Sequence, residues 1–199
     1  MKAFKIASTT LFLLLLFAAS CTSPSFTQTI QTQYDNATGT KNFRWNHRLH
    51  EFRWRSPLVY IDQSFVKQLD GDEVAQYRLY DIVVLRANEF RLEDKMFMLL
   101  DEKPVALQPR TREDDVMVSR DVDRDDILTA DSTKISVVTG YNENNYRVTR
   151  LEYALSPEVV SQILTAASIQ FRYYSGSNII TVSFSPEKVL RLKELLSST

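Results

Sequence analysis

Ile169-Gln-Phe-Arg-Tyr-Tyr-Ser-Gly-Ser-Asn-Ile-Ile-Thr-Val-Ser-Phe184 is the stretch from which the fold can be read. Ile169, Phe171 and Tyr173 alternate with polar residues, Ser175 to Asn178 form a turn signal around Gly176, and Ile180, Val182 and Phe184 alternate back. Period two on both sides of a turn predicts an antiparallel hairpin with one apolar face. The same device flanks the hairpin on each side. Ser156-Pro157-Glu158 opens a predicted helix carrying Val160, Ile163, Leu164 and Ala167, and Ser185-Pro186-Glu187 opens another with Val189, Leu192 and Leu196. Serine caps the free N–H groups, proline suits the first helical position, and glutamate favours the positive end of the helix dipole.

Upstream, the signals are short and β-like. Leu58 to Phe65 has strand composition and is followed by the Asp70-Gly71 turn. In Val74 to Arg86, Tyr77, Leu79, Val83 and Leu85 share a face with Asp81 as the exception, while Tyr80, Ile82 and Val84 load the other. That pattern predicts a strand buried on both sides. Met96–Leu100 and Val105–Gln108 around residues 101–104 read as a hairpin, and Ile135–Thr139 and Tyr146–Ala154 read as strands around a polar turn over 140–145. Arg110 to Asp131, dense in aspartate, reads as a long surface loop with at most a short strand at Val116–Val118. The expectation is a mainly β (β-rich α+β) domain: an antiparallel sandwich or a curved sheet, with two short helices in the C-terminal third.

Composition narrows the function. At 44% hydrophobic and 25% charged, the chain is an ordinary globular type with enough length for one core. Its 24 basic residues do not outnumber its 25 acidic ones, which argues against a nucleic-acid partner. Cys21 is the single cysteine, so the domain has no disulfide, thiolate metal site or cysteine nucleophile of its own.

The N-terminus has a different composition. Lys2 and Lys5 precede an uncharged Leu/Phe-rich run over 6–19, and Ala18, Ala19 and Ser20 lead into Cys21. This is the layout of a secretory signal peptide, too short to span a bilayer, which needs roughly 20 apolar residues. Ala19-Ser20-Cys21 resembles the lipobox of bacterial lipoproteins, with Ala18 where an aliphatic residue such as leucine is usual. The resemblance covers residues 1–21 and implies cleavage after residue 20, a diacylglycerol thioether on Cys21 and a palmitate-bearing membrane anchor. Thr22 in place of aspartate implies outer-membrane delivery, as in lipoproteins of Gram-negative bacteria. Plain signal cleavage near Ala19 is the alternative. Residues 22–40, rich in Thr, Ser, Gln and Asn, read as a flexible tether, with the single domain over 41–199.

Phe43 to Arg55 holds both tryptophans, both histidines and four arginines. Arg44, Trp45, Arg53 and Trp54 are candidate ligand-binding residues for glycans, lipid headgroups or another envelope protein, because aromatics stack and arginines grip anions. The competing reading buries the tryptophans in a strand pair. His47 and His50 fall on opposite sides of a strand and have no identifiable third ligand. Asp121, Asp123 and Asp125 partly imitate a calcium loop, but Asp126 stands where glycine is needed and Ser132 where a glutamate should close it. A solvated acidic loop is the better reading. No Gly-x-Ser-x-Gly or Ser-x-x-Lys motif is present, and no cofactor is implied. The function expected is a membrane-anchored envelope lipoprotein that binds or scaffolds a partner protein. A lipid or glycan carrier is the first alternative, and a carboxylate-dependent hydrolase the second.

Overall fold

The computed structural model describes residues 29–51, 56–71, 73–128 and 133–198. The signal peptide, Cys21, the first part of the predicted tether, Arg53 and Trp54 lie outside the described residues. Among the described residues, ten strands form two antiparallel sheets. The first curls strongly and has the order β1 (Gln31–Asp35), β2 (Thr40–Leu49), β3 (Leu58–Asp70), β4 (Glu73–Arg86), β8 (Lys134–Leu155), β7 (Thr111–Leu128). The second has the order β10 (Asn178–Ser183), β9 (Ile169–Ser175), β5 (Leu92–Leu100), β6 (Lys103–Leu107). Helices α1 (Pro157–Thr165) and α2 (Pro186–Ser197) lie in the C-terminal third, as expected.

The core lies between the sheets and is built by alternation. Trp45 on β2, Ile61 and Phe65 on β3, Leu79 and Val83 on β4 and Tyr153 on β8 face Met96 and Met98 on β5, Phe171 on β9 and Ile180 on β10. Phe184 crosses edge-on to Trp45 with ring centroids 5.9 Å apart, and lies 5.1 Å from Phe171. The hairpin reads as the sequence predicts: Ser175 pairs with Asn178, and Gly176 takes φ +58°. At the other tight turn, Asp101 and Glu102 both adopt positive φ, as a two-residue primed turn requires. The Asp101 carboxylate there accepts the backbone N–H groups of Ala167 at 2.9 Å and Ser168 at 2.8 Å, tying the exit of α1 to the second sheet.

Both helices start at the predicted serines. Ser156 Oγ accepts from Val159 N and Ser185 Oγ from Lys188 N, each at 3.4 Å. Lys67 fixes the other end of α2, its Nζ donating to the carbonyls of Leu196 at 2.9 Å and Ser198 at 2.5 Å. A buried ammonium thereby satisfies carbonyls that the helix end leaves open.

Several expectations need correction. β1 pairs with β2 from Gln31 onward, so the ordered chain starts upstream of Lys41 and the predicted tether is shorter. On β4, Val84 is buried but Ile82 is exposed, so the second face is only partly covered. Helix α1 ends at Thr165, before Ala167; the cap residue Ala166 packs inward instead, and Leu164 faces solvent. The largest correction concerns residues 111–155. The acidic segment is a strand of 18 residues, and the predicted turn over 140–145 is the middle of a strand of 22. From Thr111 to Thr139 there is no glycine or proline to break a strand, while Val116, Val118 and Val122 keep period two.

Candidate functional site: a projecting β-ribbon

The pairing of β4 with β8 ends at Arg86 and Tyr146. Beyond it, β7 and β8 continue as a pair alone, Val118–Leu128 against residues 134–145. Eleven residues at about 3.4 Å each give a ribbon on the order of 35 Å long. A bulge divides it: Asp123 pairs with Gly140 and Arg124 with Val138, leaving Thr139 unpaired and adding local twist.

The two faces differ in chemistry. Cross-strand partners share a face, so alternation places Val116, Val118, Val122, Tyr141 and Val138 on one side. On that side Arg120 Nη2 donates to Glu143 Oε2 at 3.1 Å, and near the tip Lys134 meets Asp126 at 2.6 Å. The other side carries Met117, then Asp121, Asp123 and Asp125, then Val137 and the opposed pair Ile127 and Ile135. All these apolar residues are exposed, up to 59% for Val116 and 69% for Tyr141. An isolated two-stranded ribbon is at best marginally stable in water, and contiguous exposed apolar residues mark interaction surfaces.

The root of the ribbon is cross-linked by a network of ion pairs. Arg112 on β7 makes a bidentate contact with Asp114, both bonds at 2.9 Å, and reaches β5 through the Leu92 carbonyl at 2.7 Å and Asp94 at 2.5 Å. Arg91 and Thr149 also donate to Asp114. The Arg112 guanidinium, aided by these donors, holds the Asp114 carboxyl well below the usual carboxylate range. This cluster joins the two sheets where the ribbon leaves them, so the ribbon extends from a fixed base.

The candidates near the N-terminus are split between faces. Trp45 is 2% exposed and sits in the core, whereas Arg44 points to the opposite, outer face of β2. The aromatic–arginine ligand cluster is therefore not assembled from these two. His47 is buried and stacks on Trp45 at 4.1 Å, while His50 is exposed, so the histidines do not converge. Asp121, Asp123 and Asp125 lie along one extended strand, with roughly 7 Å between alternate Cα atoms, and do not curl around an ion. Among the described residues no cluster of three or more metal-ligating side chains occurs, and no helix is long and apolar enough to cross a membrane.

Asp81, the apparent exception on β4, sits in a buried polar chain that the sequence did not reveal. It accepts from Tyr173 Oη at 2.7 Å and Gln63 Nε2 at 3.0 Å, and Gln63 Oε1 meets His47 Nε2 at 3.1 Å. Burial pushes the Asp81 carboxyl up to about 7 despite these two donors. Burial, with Lys188 nearby, pushes the His47 imidazole down to about 3. Both groups lie in the core, so desolvation accounts for their shifts. A cavity of about 240 Å³ beside Trp45 is lined by His47, Arg48, Glu187, Lys188 and Arg191 as well as the tryptophan. No protein-family model, no curated protein and no solved structure matches the chain, so its function is argued from its own chemistry.

Proposed function

We propose that the chain is a lipid-anchored protein of the cell envelope, held at the outer membrane through Cys21, whose domain docks another envelope protein along the β7–β8 ribbon. The observation that carries this reading is the exposed apolar surface on both faces of a ribbon that has no core of its own. The partner chemistry that fits is an apolar groove with a basic rim, because Asp121, Asp123 and Asp125 line one face beside Ile127 and Ile135. The same aspartates disfavour an anionic lipid surface as the occupant.

The alternatives have weaker support. A lipid carrier needs a deep apolar pocket of about 300 Å³ or more. The cavity beside Trp45 is smaller and lined by charged side chains of both signs. A hydrolase needs reactive groups converging in an open cleft, whereas His47 and Asp81 are buried in the core and the Asp114 carboxylate is tied up by Arg112.

Two experiments test the proposal. A photo-crosslinking residue at position 122 in intact cells should give one adduct of fixed mass, abolished by Ile127→Asp/Ile135→Asp. A residue at position 190, on the outer face of α2, should give none. The docking reading fails if both positions yield the same products. Palmitate should label the wild type and not Cys21→Ser; absence of label in both refutes the anchor and leaves the ribbon untouched.

A further inference from the structure

The outer face of strands β1 to β4 carries a row of amide side chains beside a row with two arginines. At matched register, Gln33, Asn42, Gln68 and Gln76 form a row across the four strands. The adjacent row runs through Arg44, Val66 and Arg78. Together they line a groove of about 640 Å³ on the side away from the core. Its lining has two guanidinium groups and no carboxylate.

The donors are oriented in advance. Gln76 Nε2 donates to Gln68 Oε1 at 2.7 Å, and Gln76 Oε1 accepts from Arg78 Nε at 2.8 Å. Arg78 Nη1 donates to Tyr80 Oη at 3.0 Å and lies 3.7 Å from Glu152 Oε1, just outside the groove. Arg44 uses its Nε on Asn46 at 3.0 Å and Ser64 at 2.8 Å. Among the described residues, both terminal nitrogens of Arg44, Nη2 of Arg78 and the amide nitrogen of Gln68 have no protein acceptor. Gln33 and Asn42 make no side-chain hydrogen bond there either. The two guanidiniums stand two strands apart, roughly 10 Å.

We propose that this groove binds an extended acidic glycan. Amide side chains offer a donor and an acceptor in one plane, which suits hydroxyl and acetamido groups. Held guanidiniums present paired N–H donors to a carboxylate, with little entropy left to lose. Val66 gives the one apolar contact between them, under a sugar ring face. Arg44 thus keeps a ligand role with partners different from Trp45. The site is on the face opposite the core and independent of the ribbon.

Calorimetry on the full-length protein in detergent tests this, with oligogalacturonate as probe, a neutral malto-oligosaccharide and polyglutamate as controls. Oligogalacturonate should bind, and the neutral sugar should bind at least about tenfold more weakly, a loss of about 1.4 kcal/mol. Polyglutamate should give no heat. Asn42→Ala/Gln68→Ala should weaken oligogalacturonate about tenfold or more, and Arg44→Ala/Arg78→Ala should abolish binding, each with an unchanged circular dichroism spectrum. Gln33→Ala, a single change at the exposed edge strand, gives a second reading if a double variant misfolds, and should also weaken binding. The proposal is overturned by no heat with oligogalacturonate, by equal binding of polyglutamate or the neutral sugar, or by folded variants that retain full affinity.

Discussion

Asp81→Asn should stabilise the domain at neutral pH and much less at pH 4. The wild-type carboxyl has no solvent contact, and two donated hydrogen bonds do not compensate its lost hydration, so its pKa stands near 7 instead of 3.8. The folded chain therefore binds this proton more tightly than the unfolded chain between those values. Stability from this group is fully present below about pH 4 and is lost as pH rises through about 7. Three pKa units correspond to about 4 kcal/mol. Asparagine cannot ionise, and the Tyr173 hydroxyl can rotate to accept its N–H, so most of that cost should vanish at pH 8. For a domain of this size the gain is on the order of 10 °C in Tm. His47 acts in the opposite direction: its pKa falls from 6.5 to about 3, so stability is lost as pH drops through that range. The two slopes oppose each other between about pH 4 and 6.5 in the wild type, and the variant should reveal the rising one. Urea unfolding followed by circular dichroism from pH 4 to 8 measures this. A stability difference between variant and wild type that does not change with pH would show that burial does not control Asp81.

Three further predictions concern the scaffold. Lys67→Met removes the donor that closes α2 and leaves the Leu196 and Ser198 carbonyls unpaired; it should cost about 2–3 kcal/mol in chemical denaturation. In Gly176→Ala the new Cβ would lie 2.6 Å from Phe90 ring atoms at a φ of +58°, so Phe90 must move. The expected loss is about 1–2 kcal/mol, and an unchanged Tm would contradict it. Joining Val118 to Asn145 through Asn-Gly, in place of residues 119–144, removes the ribbon but no member of the buried core. The shortened domain should unfold within about 1 kcal/mol of the full one, as surface changes do; a large loss would make the ribbon part of the cooperative core.

The C-terminal third was legible because local and tertiary signals agree there. Its serine caps, period-two hairpin and Gly176 turn each demand the structure that forms. The ribbon was obscured because acidic density resembles a solvated loop, and because Gly140 and the asparagines around it resemble a turn. Two facts outweighed those cues: the absence of a strand breaker over 111–139, and the cross-strand register that opposes Arg120 to Glu143 and Lys134 near Asp126. At Trp45, the sheet partner decided between the ligand reading and burial: the side of β2 that carries Phe43, Trp45 and His47 is the core side. The groove on β1 to β4 was not visible because its amides come from four strands brought into register only by folding.

Hydrogen exchange along residues 118–128 and 134–145 tests the docking claim most directly, comparing the purified protein with the same protein in the membranes of its own cells. In the purified protein these amides should exchange quickly while those of β3 and β4 stay protected, because the ribbon has no core beneath it. In the membranes they should become protected while Leu190 and its neighbours on α2 do not change. Slow exchange in the purified protein, or fast exchange in both states, would contradict the account.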